Sequence, residues 1–226
     1  MQETDIITRR YYALMVLGIV LPFLLTPFLS MVFGSPAQSF TYRLTLSRFL
    51  IWGVLGLMFL YARKAEVQRF LLWDEEAHNL GFYVASVAVL YVIIIGDGMI
   101  AHIPYWLGLR EKNVMLQKMT QVMRQYPVLL VFTAFTAGVT EEFIFRGYMI
   151  SRLSLFFSNK LLPILISSLL FAAVHLGYKN AGELIFTTLF GLAFGYHYQK
   201  YRNIKVLMIV HFLWDIFATL PALKHR

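Results

Sequence analysis

The chain has 226 residues, of which 59% are hydrophobic and 14% charged, with a formal net charge of +8 and no cysteine. Against a soluble average of roughly 45–50% apolar and 25% charged, that balance excludes a soluble globular domain and makes this a membrane protein. The missing cysteine excludes disulfides, thiolate metal sites and cysteine nucleophiles together.

The apolar residues fall into seven blocks, each close to the length that crosses about 30 Å of hydrocarbon at about 1.5 Å per residue. The first, Tyr11 to Phe33, contains Pro22 and Pro27, which predict a kink. Glu3 and Asp5 precede Arg9 and Arg10 with no small-residue cleavage pattern, so this block reads as a retained span and not a signal peptide. The second block is Leu44 to Tyr61. The connection Arg63 to His78, which contains RFLLWDEEAH, reads either as an amphipathic helix in the interface or as a solvated connector.

Leu80 to Ile103 forms the third block. The next connection, Trp106 to Arg124, repeats Met115, Met119 and Val122 at helical spacing beneath Lys112, Lys118 and Arg124, and carries the same two readings. Pro127 opens the fourth block, which fades near Leu155 and is therefore long or tilted. The fifth is Leu161 to Leu176, with Pro163 in its first turn, and Glu183 to Tyr198 and Ile204 to Leu220 complete the set.

Basic residues gather at block ends, as Arg63 with Lys64, Lys200 with Arg202, and Lys224 with Arg226. That pattern fits anionic lipid headgroups and not nucleic acid. Lys and Arg divide almost equally between alternate loops, so positive-inside asymmetry sets no orientation. The expectation is one integral-membrane domain over residues 1–226 without a soluble domain, and a motif-bearing core at about 126–222.

Ionised side chains cost about 2.5–3.5 kcal/mol each at the centre of a membrane helix on insertion scales. Among those inside the blocks are Asp97, His102, Glu141, Glu142, Arg146, His175, Glu183, His197, His211 and Asp215. His102, Glu183 and His197 lie near block ends and can reach the interface. Glu142 and Arg146 are four apart with the acid first, so they share a helix face as an ion pair. Glu141 points about 100° away from Glu142 on a regular helix and needs a partner from elsewhere. His175 closes FAAVH one turn after Phe171, and His211 and Asp215 bracket HFLWD on one face. Carboxylates and imidazoles without a thiol fit activation of water, with or without a metal. A Glu with two His is a ligand set of catalytic zinc, although HExxH is missing and a metal site would have to be assembled across helices.

Taken in order, EEFIFR (Glu141 to Arg146), FAAVH (Phe171 to His175) and HFLWD (His211 to Asp215) resemble the EExxxR, FxxxH and HxxxN/D motifs of the CPBP family. These are the CAAX-processing and bacteriocin-processing intramembrane proteases, also called the Abi family. The resemblance covers the C-terminal half of the chain. It implies an all-α polytopic bundle of seven or eight membrane helices enclosing a polar intramembrane cavity. It also implies hydrolysis of a peptide bond in a membrane-associated substrate, whether a CAAX-like C-terminus or a leader peptide.

By the same resemblance Glu141 is the general base, His175 holds and activates the water or a metal, and His211 and Asp215 face the scissile carbonyl. Glu142, Arg146 and Phe171 support them, with Glu142 orienting His175. Where several relatives carry Asn this chain has Asp215, which cannot donate when ionised; it is protonated by burial, orients His211 one turn away, or binds a metal, with the orienting role favoured. The family's metalloprotease label implies zinc or another divalent ion on Glu141, His175 and His211; glutamate-activated water without metal stays open beside it. The expected partners are membrane lipid and a peptide or membrane-protein substrate, in a bacterial plasma membrane. Two other readings stand alongside: a non-proteolytic adaptor or bacteriocin self-immunity protein of the same family, and a proton path in which Asp97 of IIIGDGMI takes part. Against the proton path, the acids and histidines cluster on three late helices.

Overall fold

The computed structural model describes residues 2–35, 37–109 and 111–224, with side chains only between 10 and 220. The charges of Glu3, Asp5, Arg9, Lys224 and Arg226 lie outside those side chains. Among the described residues the protein is all-α. Helices α1 (Gln2–Phe33), α2 (Phe40–Lys64) and α3 (Leu80–Ala101) are followed by the short α4 (Ile103–Trp106) and by α5 (Val114–Gln125). Helix α6 (Pro127–Glu141) runs without a break through a π-helical stretch, Glu142–Ile150, into α7 (Ser151–Leu153). Helix α8 (Leu161–Ala173) leads through a 3-10 turn, Leu176–Tyr178, to α9 (Ala181–Tyr201) and α10 (Ile204–Lys224).

Starts and stops follow local chemistry. Ser39, Asn79, Asn113 and Asn180 accept a backbone N–H from the first turns of α2, α3, α5 and α9, and Pro127 occupies the first turn of α6. Among the described residues five stretches are long and apolar enough to cross a membrane: Arg10–Phe33, Phe40–Lys64, Leu80–Trp106, Pro127–Leu153 and Leu161–Tyr178. The protein is thus a polytopic integral membrane protein. Helices suit that setting because every backbone group is satisfied within the segment, and outward-facing Leu24, Phe28, Val92 and Met99 are exposed for lipid. Burial within the spanning window reaches 56% in Pro127–Leu153 against 17–33% in the other four, so the rod carrying the glutamate pair is the axis of the bundle.

The two ends of the bundle are built differently. At one end the connection 65–79 packs beneath the α9–α10 corner. It is not the amphipathic helix that its composition allowed: Val67 is left-handed at φ 56°, and the segment is held by specific partners. Glu75 accepts from the Ile204 backbone N–H at 2.7 Å, an acid at the start of α10, and from Tyr198 Oη at 3.1 Å. The Arg202 guanidinium stacks 3.1 Å over the Trp73 ring, and the Glu76 N–H donates to Arg202 O at 2.8 Å. At the other end α5 lies across the α8–α9 turn. Its Thr120, Val122 and Met123 are buried while Lys118 and Arg124 face outward. The Ala181 N–H donates to Glu111 Oε2 at 2.5 Å, and Tyr178 Oη to Met119 Sδ at 3.5 Å.

A buried charge group that the sequence reading missed fixes the first end to the axial rod. Arg152 donates to Glu66 Oε2 through Nη2 at 2.6 Å and Nε at 3.1 Å, and to Phe70 O through Nη1 at 2.6 Å. Tyr148 Oη donates to Glu66 Oε1 at 2.5 Å, and the Arg152 guanidinium lies 3.6 Å over the Tyr148 ring. Both members of the ion pair are fully buried. Removing one partner from such a pair strands a charge and costs about 3–5 kcal/mol, whereas replacing both by neutral groups is far milder. Arg152→Met is therefore expected to lose about 3–5 kcal/mol of stability, and the double variant Glu66→Gln, Arg152→Met to regain most of it. Unfolding titrations in detergent for the two single variants and the double variant measure this.

Candidate active site

The site begins with a close approach of two backbones. A Cβ added at Gly138 would lie 3.0 Å from Phe212 N and 3.1 Å from Met208 O, so α6 meets α10 main chain to main chain one turn before the glutamate pair. That contact brings Glu142 to His211. The Glu142 side chain is fully buried, and its Oε1 accepts from His211 Nδ1 at 2.7 Å and from Arg146 Nη1 at 3.0 Å. The Arg146 guanidinium in turn lies 4.4 Å from the Phe171 ring centroid, with Phe190 and Phe194 further out at 5.8 and 5.5 Å.

The helix changes type at this point. From Glu142 to Ile150 it is π-helical, a conformation that is rare and concentrated at functional sites, whereas a regular α-helix is the sequence-based expectation. Inside this stretch the Phe145 carbonyl accepts from Ser167 Oγ of α8 at 2.8 Å, which ties the π segment to the helix that delivers His175.

His175 lies just past the end of α8, with Nδ1 2.9 Å from Phe171 O. A carbonyl only accepts, so Nδ1 carries the proton and Nε2 of the neutral ring is left as an acceptor. Its ring packs on Phe171 at 4.9 Å and on Tyr178 at 5.7 Å. The orienting partners differ from those expected. Glu142 holds His211 and not His175, because His175 is already bound to its own preceding turn. Asp215 does not hydrogen-bond His211: its Oδ1 is 3.9 Å from Nε2, and Glu141 Oε2 stands at the same 3.9 Å. The two carboxylates therefore flank the free edge of an imidazole whose other nitrogen is pinned by Glu142.

Glu141, His175, His211 and Asp215 all line one cavity of about 610 Å³, together with Phe171. Its volume lies within the range of about 300–1,000 Å³ usual for ligand sites. The adjacent glutamates are thus sorted: Glu142 is enclosed by the protein, while the Glu141 side chain keeps 20% exposure towards the cavity. His102 and Glu183, assigned above to the interface, also line this cavity, and Glu183 Oε2 accepts from Asn113 Nδ2 at 3.4 Å. Asp97 is buried on α3 but does not line it, and His197 is buried without a hydrogen-bond partner for either nitrogen. The ligand set Glu141, His175 and His211 is not gathered around a common point: among the described residues no group of three or more His, Asp or Glu could hold a metal ion. The residues do not fit a divalent ion in this arrangement.

Comparison with known proteins agrees with the geometry. Residues 123–217 match the family described as type II CAAX prenyl endopeptidase Rce1-like. Over that segment the chain is similar to the Rce1-like CAAX proteases, and it carries a buried Glu/His cluster there. It is 24% identical over 144 residues to the "Putative membrane peptidase YdiL" of Bacillus subtilis (strain 168), covering 62% of this chain and 56% of that protein. It is 28% identical over 167 residues to the UPF0177 protein YvdC of Lactococcus lactis subsp. lactis (strain IL1403), covering 73% of this chain and 60% of that protein. The chain therefore spans between 56% and 60% of the length of these curated relatives, both of them bacterial. No solved structure matches it.

Overpacking a tight contact typically costs 1–3 kcal/mol. The neighbours of Gly138 are backbone atoms and have little room to give. Gly138→Val is expected to lower stability by about 1–3 kcal/mol and to separate Glu142 from His211. The separation is read as loss of the downfield Nδ1 proton resonance in protein with labelled histidine.

Proposed function

We propose that this protein is an intramembrane endopeptidase of the CPBP kind, with α9 and α10 as two further spans and the cavity at membrane depth. One observation carries the reading: the exposed carboxylate of Glu141 shares a cavity with His175, His211 and Asp215, while the charges needed to hold them are enclosed behind it.

In this reading a water molecule sits between Glu141 and His175. The His175 Nε2 lone pair accepts one water hydrogen and Glu141 removes the other as general base. The water oxygen bonds to the scissile carbonyl carbon and the C=O electron pair moves onto oxygen. His211 faces that oxyanion with Nε2–H, a proton present when the ring is imidazolium, since Nδ1–H is already given to Glu142. A pre-aimed donor of this kind is worth about 2.7–4 kcal/mol in soluble proteases. As the oxyanion re-forms the carbonyl the C–N bond breaks, and Glu141 returns its proton to the departing amine. Asp215 stands beside the Nε2 edge as a second carboxylate facing the imidazolium. No step passes through a metal.

The substrate class is a membrane-associated peptide or protein cut near a CAAX-like C-terminus or a leader segment. The test is cleavage of S-farnesylated CAAX-type peptides and bacterial leader peptides by purified protein in detergent. Glu141→Gln and His175→Ala are each expected to lose about 10²–10⁴-fold in kcat/KM, the usual contribution of a positioned base. Cleavage that both variants retain at the wild-type rate would sink the catalytic reading. A wild-type cellular phenotype that survives both substitutions would favour the adaptor or self-immunity role.

A further inference from the structure

Among the described residues four carboxylates line the cavity, Glu111, Glu141, Glu183 and Asp215, against one guanidinium, that of Arg48. Arg48 is on α2, two turns in from its start at Phe40, and is half-buried. Its hydrogen bonding is sparse, one contact from Nε to Ser47 Oγ at 3.3 Å. Of the nearby acids, Glu111 accepts the Ala181 N–H and Glu183 accepts from Asn113, while Glu141 and Asp215 stand 3.9 Å from His211 and Asp215 also feels the charge of Arg48. Among the described residues no carboxylate forms an ion pair with Arg48, whereas the buried Arg146 and Arg152 are each paired with a glutamate.

An arginine at membrane depth is costly and marks function by default. Its planar fork of five donors matches a carboxylate in two parallel hydrogen bonds. A negatively charged peptide end entering this cavity meets four acids, and without a cation it would be repelled. A neutral peptide would have no use for Arg48.

We propose that Arg48 binds a carboxylate of the substrate, making the cavity selective for peptides that present an anionic group, either a C-terminal carboxylate or an acidic side chain. The proposal takes its substrate class from the endopeptidase reading, but it concerns binding and is measured without turnover.

The probe is a fluorescent S-farnesylated CAAX-type peptide in three forms: the free C-terminal acid, the C-terminal amide, and the amide with one glutamate added near its end. Affinities are measured by anisotropy on Glu141→Gln protein, which lacks the proposed base, with Arg48 intact or changed to Gln or Lys. A charge-assisted bidentate contact predicts that the acid binds about 10–100-fold more tightly than the amide. In Arg48→Gln the ratio falls towards one, and in Arg48→Lys it lies between. Recovery of affinity by the glutamate-bearing amide assigns the site to side-chain carboxylates as well as the C-terminus; no recovery assigns it to the terminus. Equal binding of acid and amide to the Arg48-intact protein, including no binding of either, overturns the proposal. So does a ratio that survives Arg48→Gln. A ratio that persists while cleavage is absent leaves Arg48 as a carboxylate receptor and removes only the catalytic reading.

Discussion

One oxygen atom organises this protein. Glu142 Oε1 accepts from Arg146 on its own helix and from His211 on α10, with no solvent exposure of the side chain. In hydrocarbon a carboxylate, a guanidinium and an imidazole are each unfavourable alone; sharing one acceptor lets all three be buried together. The arrangement depends on the backbone contact at Gly138 and on the aromatic wall of Phe171, Phe190 and Phe194 around Arg146. With the support charges paired behind it, Glu141 faces the cavity with no partner inside hydrogen-bond range among the described residues, and the His211 Nε2 edge is left open.

The π-helical stretch belongs to the same arrangement. It starts at Glu142, so the two glutamates belong to helices of different pitch, and their side chains diverge into different surroundings. Ser167 satisfies the Phe145 carbonyl from α8. A change in that stretch would therefore be felt at His175 and His211 together, although those residues are on separate helices.

Much of the site was legible in the sequence because its key pairs are local. Glu142 with Arg146, Phe171 with His175 and His211 with Asp215 are each four apart, and four residues bring side chains to one face of a helix. The helix boundaries were legible for a similar reason, since apolar blocks of spanning length are long-range patterns that survive local detail. What remained hidden depends on contacts between distant positions. Glu66 and Arg152 are 86 residues apart, and no local spacing links them. The sequence reading gave His211 to Asp215 and Glu142 to His175; the approach of α6 to α10 brings Glu142 to His211 instead. Arg48, inside the second block, was not singled out in the sequence, and the cavity shows what it faces. The π conformation leaves no signature in residue type, and the 65–79 segment is shaped by the surface beneath it more than by its own periodicity.

The unequal ends of the bundle have a further consequence. Behind His211 the interior is filled by Phe145, Tyr148, Phe194, Tyr198 and Leu207, all buried, and the pinned 65–79 segment closes that side. On the opposite side the cavity is lined by α4, α5 and the α8–α9 turn. On the proposed endopeptidase reading, a substrate entering from that side meets the filled interior behind His211, so a tip or a bend of it reaches Glu141 and withdraws by the route it entered.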